Sequence, residues 1–209
     1  MRSRFDWIIQ GQTVGPDLKC DVDLLPGGPF AVVPSLGSLC PGWVLAIPRK
    51  PLLSIRQLPT NERTAFLRSC EAVADSLSGF NPNVHYFEHG PSTRKSVVGC
   101  GVDQAHLHIV PTPLKLLEFV LADKSVGWTE VDSVDPWATV RPDAEYYLIA
   151  TSTTAYVGIP TKPESQYFRK HLAALSGIPN RWNYREWPHY EHIERTVDCF
   201  AIERAREAA

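Results

Sequence analysis

The chain contains 209 residues, with 21 lysines and arginines against 23 aspartates and glutamates and a formal net charge of −2 at pH 7. Hydrophobic residues make up 44% of the chain and charged residues 21%, which is ordinary for a folded globular protein. This balance excludes the basic surface of a nucleic-acid-binding protein, and no apolar run approaches the roughly 18 residues of a membrane span. We therefore expect one domain, alone or with an extension, and neither a polymeric nucleic acid nor a membrane as a partner.

The cysteines favour a cytoplasmic protein. Disulfide frameworks and cysteine-rich zinc sites need even-numbered or closely spaced cysteines, so we expect buried thiols here. The basic N-terminus lacks the apolar segment of a secretory signal, which agrees with that expectation. The five cysteines are scattered without a C-x-x-C pair, at Cys20, Cys40, Cys70, Cys100 and Cys199.

Strands and helices are predicted from the apolar pattern and from the Gly, Pro and Ser residues that interrupt it. In chain order, the first half gives a hairpin of Phe30–Pro34 and Trp43–Pro48, a helix from Leu58 to about Ser76, a strand Val84–Glu88, a loop from His89 to Gly101 and a strand Gln104–Val110. The second half gives a short buried helix Leu114–Ala122 (or a strand), a hairpin of Glu145–Ala150 and Ala155–Ile159, and helices from Ser165 to Leu175 and from Glu191 to about Arg206.

These elements predict an α+β fold, in which an antiparallel sheet carries helices on one face and is followed by a C-terminal α/β extension. The stretch Lys124–Pro142 has the weakest secondary-structure signal. We therefore expect a core of residues 1–123 and an extension of residues 124–209 packed on it, with one continuous domain as the alternative.

The segment Gln104-Ala-His106-Leu-His108-Ile carries the strongest chemical signal. Residues i and i+2 of a strand point to the same face, so Gln104, His106 and His108 are predicted to form one polar row. Three buried polar side chains need partners, which makes a functional row the preferred reading. The alternatives are an exposed sheet face with two ordinary histidines, or a metal site completed by Glu88 or His89.

A glycine-containing turn, Gly99-Cys100-Gly101-Val-Asp103, leads directly into this segment. Glycines let backbone N–H groups approach an anion closely, as they do in phosphate-binding loops. Arg94 and Lys95, just upstream, could add charge-assisted hydrogen bonds, although exposed loop residues of this kind are often simply solvated.

These motifs resemble the histidine-triad superfamily, whose pattern is His-φ-His-φ-His-φ-φ (φ apolar) on a strand after a glycine-containing phosphate loop. The resemblance covers roughly residues 20–112 and includes the first hairpin with its Pro-Arg-Lys end. It implies that His106 attacks the phosphorus and that His108 supports the phosphate and the leaving group. Gln104 replaces the first histidine of the pattern, so that position cannot titrate.

Two further positions follow from the same resemblance. The family holds the nucleotide ribose with an acidic residue just after the first strand, and Ser35 occupies that place here. Glu88 and His89 lie near the place where the family often has an asparagine close to the nucleophile.

The C-terminal part resembles longer proteins of histidine-triad type. Ser165, Gln166 and Arg169 are expected to share one face of its first helix and to offer donors to a phosphate, with a solvated helix start capped near Ser165 as the alternative. The aromatic residues between Trp182 and Tyr190 are expected to pack, and His189 and His192 are expected at the surface.

The resemblance implies a nucleotide-processing enzyme without metal or cofactor, which cleaves a phosphoanhydride, phosphoramidate or phosphoester bond through a nucleotidyl-His106 intermediate. The implied substrate is a small-molecule nucleotide or nucleotide conjugate. His108 or solvent is expected to protonate the leaving group. The alternatives are a nucleotidyltransferase or dinucleoside-polyphosphate phosphorylase of the same chemistry, and a nucleotide-binding module without turnover. Formation of a homodimer is left open.

Overall fold

The computed structural model describes residues 4–207, without the side chains at positions 203, 204, 206 and 207. Its helices are α1 (Asp6–Ile9), α2 (Thr60–Ser76), α3 (Leu116–Leu121), α4 (Tyr167–Leu175) and α5 (Tyr190–Glu207), with a 3₁₀ turn at Ile55–Gln57. Its strands are β1 (Phe30–Pro34), β2 (Val44–Pro48), β3 (Val84–Gly90), β4 (Leu107–Pro111), β5 (Val126–Val131), β6 (Tyr146–Ala150) and β7 (Ala155–Pro160).

All seven strands form one antiparallel sheet in the order β1-β2-β4-β3-β6-β7-β5. The strand β3 pairs with β4 on one side and with β6 on the other, so the sheet continues across positions 123 and 124. The mixed helix-and-strand class predicted from the sequence is therefore confirmed.

The prediction of helices on one face was wrong, because helices cover both faces. The residues of α2 and alternate strand residues such as Ala46, Ile109 and Leu148 form one core cluster. Intervening strand residues such as Val110 and Ile149 pack against α3 and α4 in a second cluster, and α1 covers β1 and β2 on that same face. Continuous apolar strands, buried at every position, are typical of a sheet covered on both sides.

Most predicted elements are confirmed within one or two residues, but β5 and α1 were not predicted. In β5 only Val126 is fully buried, and the strand contains Gly127 and Glu130. It forms because it pairs in register with β7 over six residues at the edge of the sheet. A strand stabilised mainly by such pairing carries little sequence signal.

The histidine segment differs most from its prediction. The strand β4 begins at Leu107, so Gln104 and His106 precede it. None of the helices in residues 4–207 combines the length and apolar character that crossing a membrane requires.

Candidate functional site

A small cavity lies on the sheet face covered by α1 and α4, above the ends of β2, β3 and β4. Its volume is about 40 Å³, which corresponds to a few water molecules. None of the side chains that line it is acidic: they are Arg4, Phe5, Ser35, Leu36, Leu45, His89, Cys100, Val102, His106, His108, Gln166, Arg169 and Tyr184. The histidines from β3 and from the start of β4 therefore meet the predicted extension in one place.

The hydrogen bond of His106 determines which of its nitrogens is free. Its Nδ1 lies 2.8 Å from the main-chain oxygen of Gln104, and because a carbonyl only accepts, Nδ1 carries the proton. Burial lowers the pKa of His106 to about 4, so the ring is neutral at pH 7 and Nε2 keeps its lone pair. A neutral imidazole of this tautomer is a nucleophile or a base at Nε2.

His108 has the opposite tautomer. Its Nδ1 accepts a 3.0 Å hydrogen bond from the indole Nε1–H of Trp43, and an indole can only donate. The ring is thus neutral with its proton on Nε2, and burial holds the pKa of His108 well below its usual range. Phe87 stacks on the ring, with centroids 4.3 Å apart. His108 therefore presents a fixed N–H donor next to His106, whose ring centroid is 5.0 Å away.

A third histidine, His89, comes from the end of β3. It is 5% exposed, and neither of its ring nitrogens has a hydrogen-bond partner among the described residues. Burial, with His106 and Arg169 nearby, lowers the pKa of His89 to about 3. Because buried polar groups normally have partners, this ring is available to a group that enters the cavity.

Arg169 supplies a buried positive charge. Its guanidinium donates to Ser35 Oγ (2.6 Å) and to the main-chain oxygen of Gly37, which are both uncharged. It lies 4.4 Å from the ring of Trp43, a cation–π distance. Two of its five N–H donors are used in this way, and the other three have no acceptor among residues 4–207. Burial lowers the pKa of Arg169 to about 10.

The turn after β1 holds this guanidinium in place. Gly37 has φ 71°, and a Cβ at this position would lie 2.5 Å from Cβ of Tyr184, so the turn requires glycine. Ser35 is fully buried, and its hydroxyl oxygen accepts the hydrogen bond from Arg169.

These features together describe a site for an anion. A buried guanidinium faces three neutral histidines in a cavity without a carboxylate, and Arg4, the second arginine there, is paired with Asp21 at 2.8 Å. A phosphoryl group in this cavity could accept hydrogen bonds from Arg169 and His108 while Nε2 of His106 faces its phosphorus. A cation at the histidines is disfavoured by the same charge.

No protein-family model matches the chain, and no curated protein sequence is significantly similar to it. The geometry of the site therefore carries the functional argument.

Gln104 lies outside the cavity. Its Nε2 donates to the main-chain oxygens of Pro48 (3.0 Å) and Lys50 (2.8 Å), which ties the segment before β4 to the end of β2. Its contribution to the site is its own main-chain oxygen, which orients His106. The expected polar row of three side chains is thus reduced to His106 and His108.

Glu88 points to the opposite face of the sheet. Its carboxylate accepts hydrogen bonds from the main-chain N–H of Ile55, the indole of Trp137 and the hydroxyl of Tyr146, all at 2.7 Å. Burial raises the pKa of Glu88, while these donors lower it. Adjacent residues of a strand face opposite sides of the sheet, and the neighbour of Glu88, His89, faces the cavity. Glu88 therefore cannot complete a metal site with His106 and His108.

The predicted phosphate loop enters the site mainly through the side chains of Cys100 and Val102. The backbone N–H groups of these two residues bond within the turn, to Val97 O (3.2 Å) and Gly99 O (2.9 Å). They are therefore not available to a phosphate. The glycines allow the tight turn, in which Cys100 and Gly101 both have positive φ.

The charged residues of this loop form a separate group at the surface. Asp103 accepts the main-chain N–H of Lys95 (2.8 Å) and lies 3.8 Å from the guanidinium of Arg94. The side chain of Arg94 is 73% exposed. None of the three lines the cavity, so their predicted role in phosphate binding has no support from the geometry.

Two residues of the C-terminal part, Gln166 and Arg169, line the cavity. Gln166 is buried, and its main-chain N–H donates to Cys100 Sγ at 3.0 Å, which joins the start of α4 to the glycine turn. The residues that the sequence reasoning missed are Arg4, Phe5 and Trp43. Their distance in sequence from the histidines gives no signal, because only the packing of the segment before α1 on the sheet and the pairing of β2 with β4 bring them together.

Proposed function

We propose that the chain is a nucleotide-processing enzyme of histidine-triad type, which breaks a nucleotidyl bond through a covalent intermediate on His106. The observation that carries the proposal is the pair of opposite tautomers. Gln104 O frees the lone pair of His106 Nε2, and Trp43 leaves the proton of His108 on Nε2 of a ring that lines the same cavity. A nucleophile beside a fixed donor is the arrangement that acyl and phosphoryl transfer require.

In the first step, the lone pair of His106 Nε2 forms a bond to phosphorus, and the bond from phosphorus to the leaving group breaks with its electron pair. The proton on His106 Nδ1 stays on the ring, hydrogen-bonded to Gln104 O. The N–H of His108 and the free N–H groups of Arg169 stabilise the charge on the phosphoryl oxygens, each such donor contributing about 10²–10³ in rate. Water or a second substrate then attacks phosphorus and releases His106.

The tautomer of His108 also limits which kinds of phosphorus–leaving-group bond the site can break. Because His108 Nδ1 already accepts from Trp43, loss of its Nε2 proton would leave an imidazolate anion. His108 is therefore a hydrogen-bond donor and not the acid that protonates the leaving group. The neutral His89 is no better as an acid. A phosphoanhydride, whose leaving group departs as a stable anion, suits this site better than a phosphoramidate or an alkyl ester, which need protonation.

The size of the cavity adds a second constraint. At about 40 Å³ it can enclose the reacting phosphoryl group but not a whole nucleotide, since pockets for whole ligands are typically about 300–1,000 Å³. We infer that the nucleoside lies outside the cavity, next to the partly exposed Leu36.

The test is a search for the intermediate by mass spectrometry. The full chain is mixed with nucleoside triphosphates and dinucleoside polyphosphates, quenched at alkaline pH because a P–N bond is labile to acid, and digested. We expect a nucleoside-monophosphate adduct on the peptide that contains His106, and no adduct with His106→Ala. The variant His171→Gln, which changes a partly exposed histidine on α4 outside the cavity, should behave as wild type.

Each outcome has a distinct meaning. Binding of the nucleotide without an adduct would refute the proposal and favour a binding module without turnover. An adduct that is released faster by added inorganic phosphate than by water would identify the transferase or phosphorylase form of the same chemistry.

A further inference from the structure

A second group of chemically active side chains lies where α5 begins. His189, Glu191 and His192 each offer one ligand atom within 4.8 Å of the other two. The two imidazole centroids are 5.7 Å apart, and His189 Nδ1 is 3.3 Å from Glu191 Oε1. None of the three lines the cavity described above. His189 and His192 were predicted at the surface, but both are partly buried, whereas Glu191 is exposed.

The ring of His192 is oriented by the protein. Its Nδ1 lies 2.7 Å from the main-chain oxygen of Ser38, and since a carbonyl only accepts, Nδ1 carries the proton in the neutral ring. The lone pair is therefore on Nε2. Histidines that bind metals almost always donate their other nitrogen to a carbonyl or carboxylate in this way, which fixes the tautomer and the direction of the ligand.

One ring nitrogen of His189 lacks a hydrogen-bond partner among the described residues. Its side chain is nine-tenths buried, and its Nε2 has no hydrogen-bond partner among the described residues. A buried ring nitrogen without a partner is costly to the folded state. A bound cation would offset this cost, either by contacting the ring nitrogen directly or after the ring has reoriented.

We propose that His189, Glu191 and His192 bind one divalent transition-metal ion, for which zinc is the best match. Zinc binds imidazole nitrogen and carboxylate oxygen at about 2.0–2.2 Å, so the ligands of a tetrahedral site lie about 3.4 Å apart. The 3.3 Å between His189 Nδ1 and Glu191 Oε1 already matches that spacing, and small movements of the two imidazole rings, whose ligand atoms lie within 4.8 Å, would close the rest of the group. Two neutral imidazoles and one carboxylate leave the fourth position to water. Mg²⁺ and Ca²⁺, which prefer oxygen ligands, are disfavoured.

The ion would connect two segments of the fold. His192 is bonded to Ser38, and Pro188 O accepts the N–H of Gly37 at 2.8 Å. The oxygen of Gly37 in turn accepts from Arg169. Zinc at the start of α5 therefore stabilises the turn that positions this guanidinium. The site does not depend on the function proposed above, because its ligands and its stabilising effect are separate from the cavity.

The experiment is a zinc titration of the chelator-treated full chain by calorimetry and thermal unfolding, with Co²⁺ absorption spectra reporting the ligand geometry. We expect one zinc per chain. At a free zinc concentration of 100 times Kd the Tm should rise by about 5–10 °C, while Mg²⁺ at the same concentration leaves it unchanged. Glu191→Gln and His192→Asn should each weaken zinc binding at least tenfold.

Two controls make the result decisive. Glu194→Gln changes another exposed carboxylate of α5 and should keep the wild-type affinity, as should His106→Ala. If His192→Asn fails to fold, Glu191→Gln alone decides, because that side chain is 66% exposed and not needed for the core. The absence of saturable zinc binding would overturn the proposal. So would affinity lost in His106→Ala and kept in Glu191→Gln, because the metal would then lie in the cavity.

Discussion

Replacement of Arg169 by methionine separates a functional role of this residue from a structural one. The pKa of Arg169 is lowered from 12.5 to about 10 by burial, and one pKa unit corresponds to about 1.4 kcal/mol, so the charge costs the folded protein about 3 kcal/mol. Its hydrogen bonds to Ser35 and Gly37 return about 1.5–3 kcal/mol each. Methionine removes both contributions, so the free energy of unfolding should fall by no more than about 3 kcal/mol.

The rate of adduct formation should change far more than the stability does in Arg169→Met. Without the guanidinium the phosphoryl oxygens lose their charged donor, and the rate of adduct formation on His106 should fall by about 10²–10³. Inorganic phosphate, which should raise the Tm of the wild-type protein through binding to the cavity, should have no such effect on Arg169→Met. The assays are urea unfolding, thermal unfolding with and without phosphate, and the mass-spectrometric adduct assay.

Arg63→Met is the matched control. Arg63 forms a largely buried, two-pronged ion pair with Asp135 at 2.6 and 2.8 Å, far from the cavity. Removal of one partner of such a pair costs about 3–5 kcal/mol, so this variant should be strongly destabilised and yet form the adduct at a normal rate wherever it is folded. If Arg169→Met is destabilised as much as Arg63→Met, or forms the adduct within tenfold of the wild-type rate, Arg169 is a structural residue and the reasoning fails.

Three further predictions follow from the hydrogen bonds and pKa shifts of the site. Trp43→Phe removes the donor to His108 Nδ1 and should slow adduct formation about 10–100-fold. Trp128→Phe should not, because the indole N–H of Trp128 has no partner among residues 4–207. Equal rates in the two variants would count against the tautomer argument. Gln104→His leaves one of two carbonyls without its donor, so urea unfolding should show a loss of about 1–3 kcal/mol, and a large change in adduct rate instead would mean that Gln104 acts in the chemistry. Because His106 must be neutral and its pKa is about 4, the adduct rate should stay level from pH 8 to about 5 and fall through pH 4. The unfolded chain, in which histidine has a pKa near 6.5, binds more protons below that pH, so stability should also decline from about pH 6.5 downward. A midpoint of the rate near pH 6.5 would contradict a neutral His106 with a lowered pKa.

The sequence by itself determined the order of the main elements and the nucleophile proposed for the site. The hairpin of β1 and β2, the helix α2 and the strands β3, β6 and β7 are specified by local patterns, because each carries an apolar run or a helical repeat that needs no distant partner to be recognised. His106 and His108 were found in the same way, from the two-residue spacing of polar side chains in an apolar segment. Ser35 and Arg169 were also named from the sequence, Ser35 as a ribose contact by resemblance and Arg169 as a phosphate donor by helical spacing, but not as partners of each other.

Only the tertiary structure decided what these residues can do. The tautomer of His108 depends on Trp43, 65 residues earlier, and the tie of Arg169 to Gly37 spans 132 residues. Side chains this far apart in sequence meet through the strand register and the packing of α4 on the sheet, neither of which is encoded in a local pattern. The same register turns Glu88 away from the cavity and brings His89 into it, since adjacent residues of one strand face opposite sides of a sheet that helices cover on both faces.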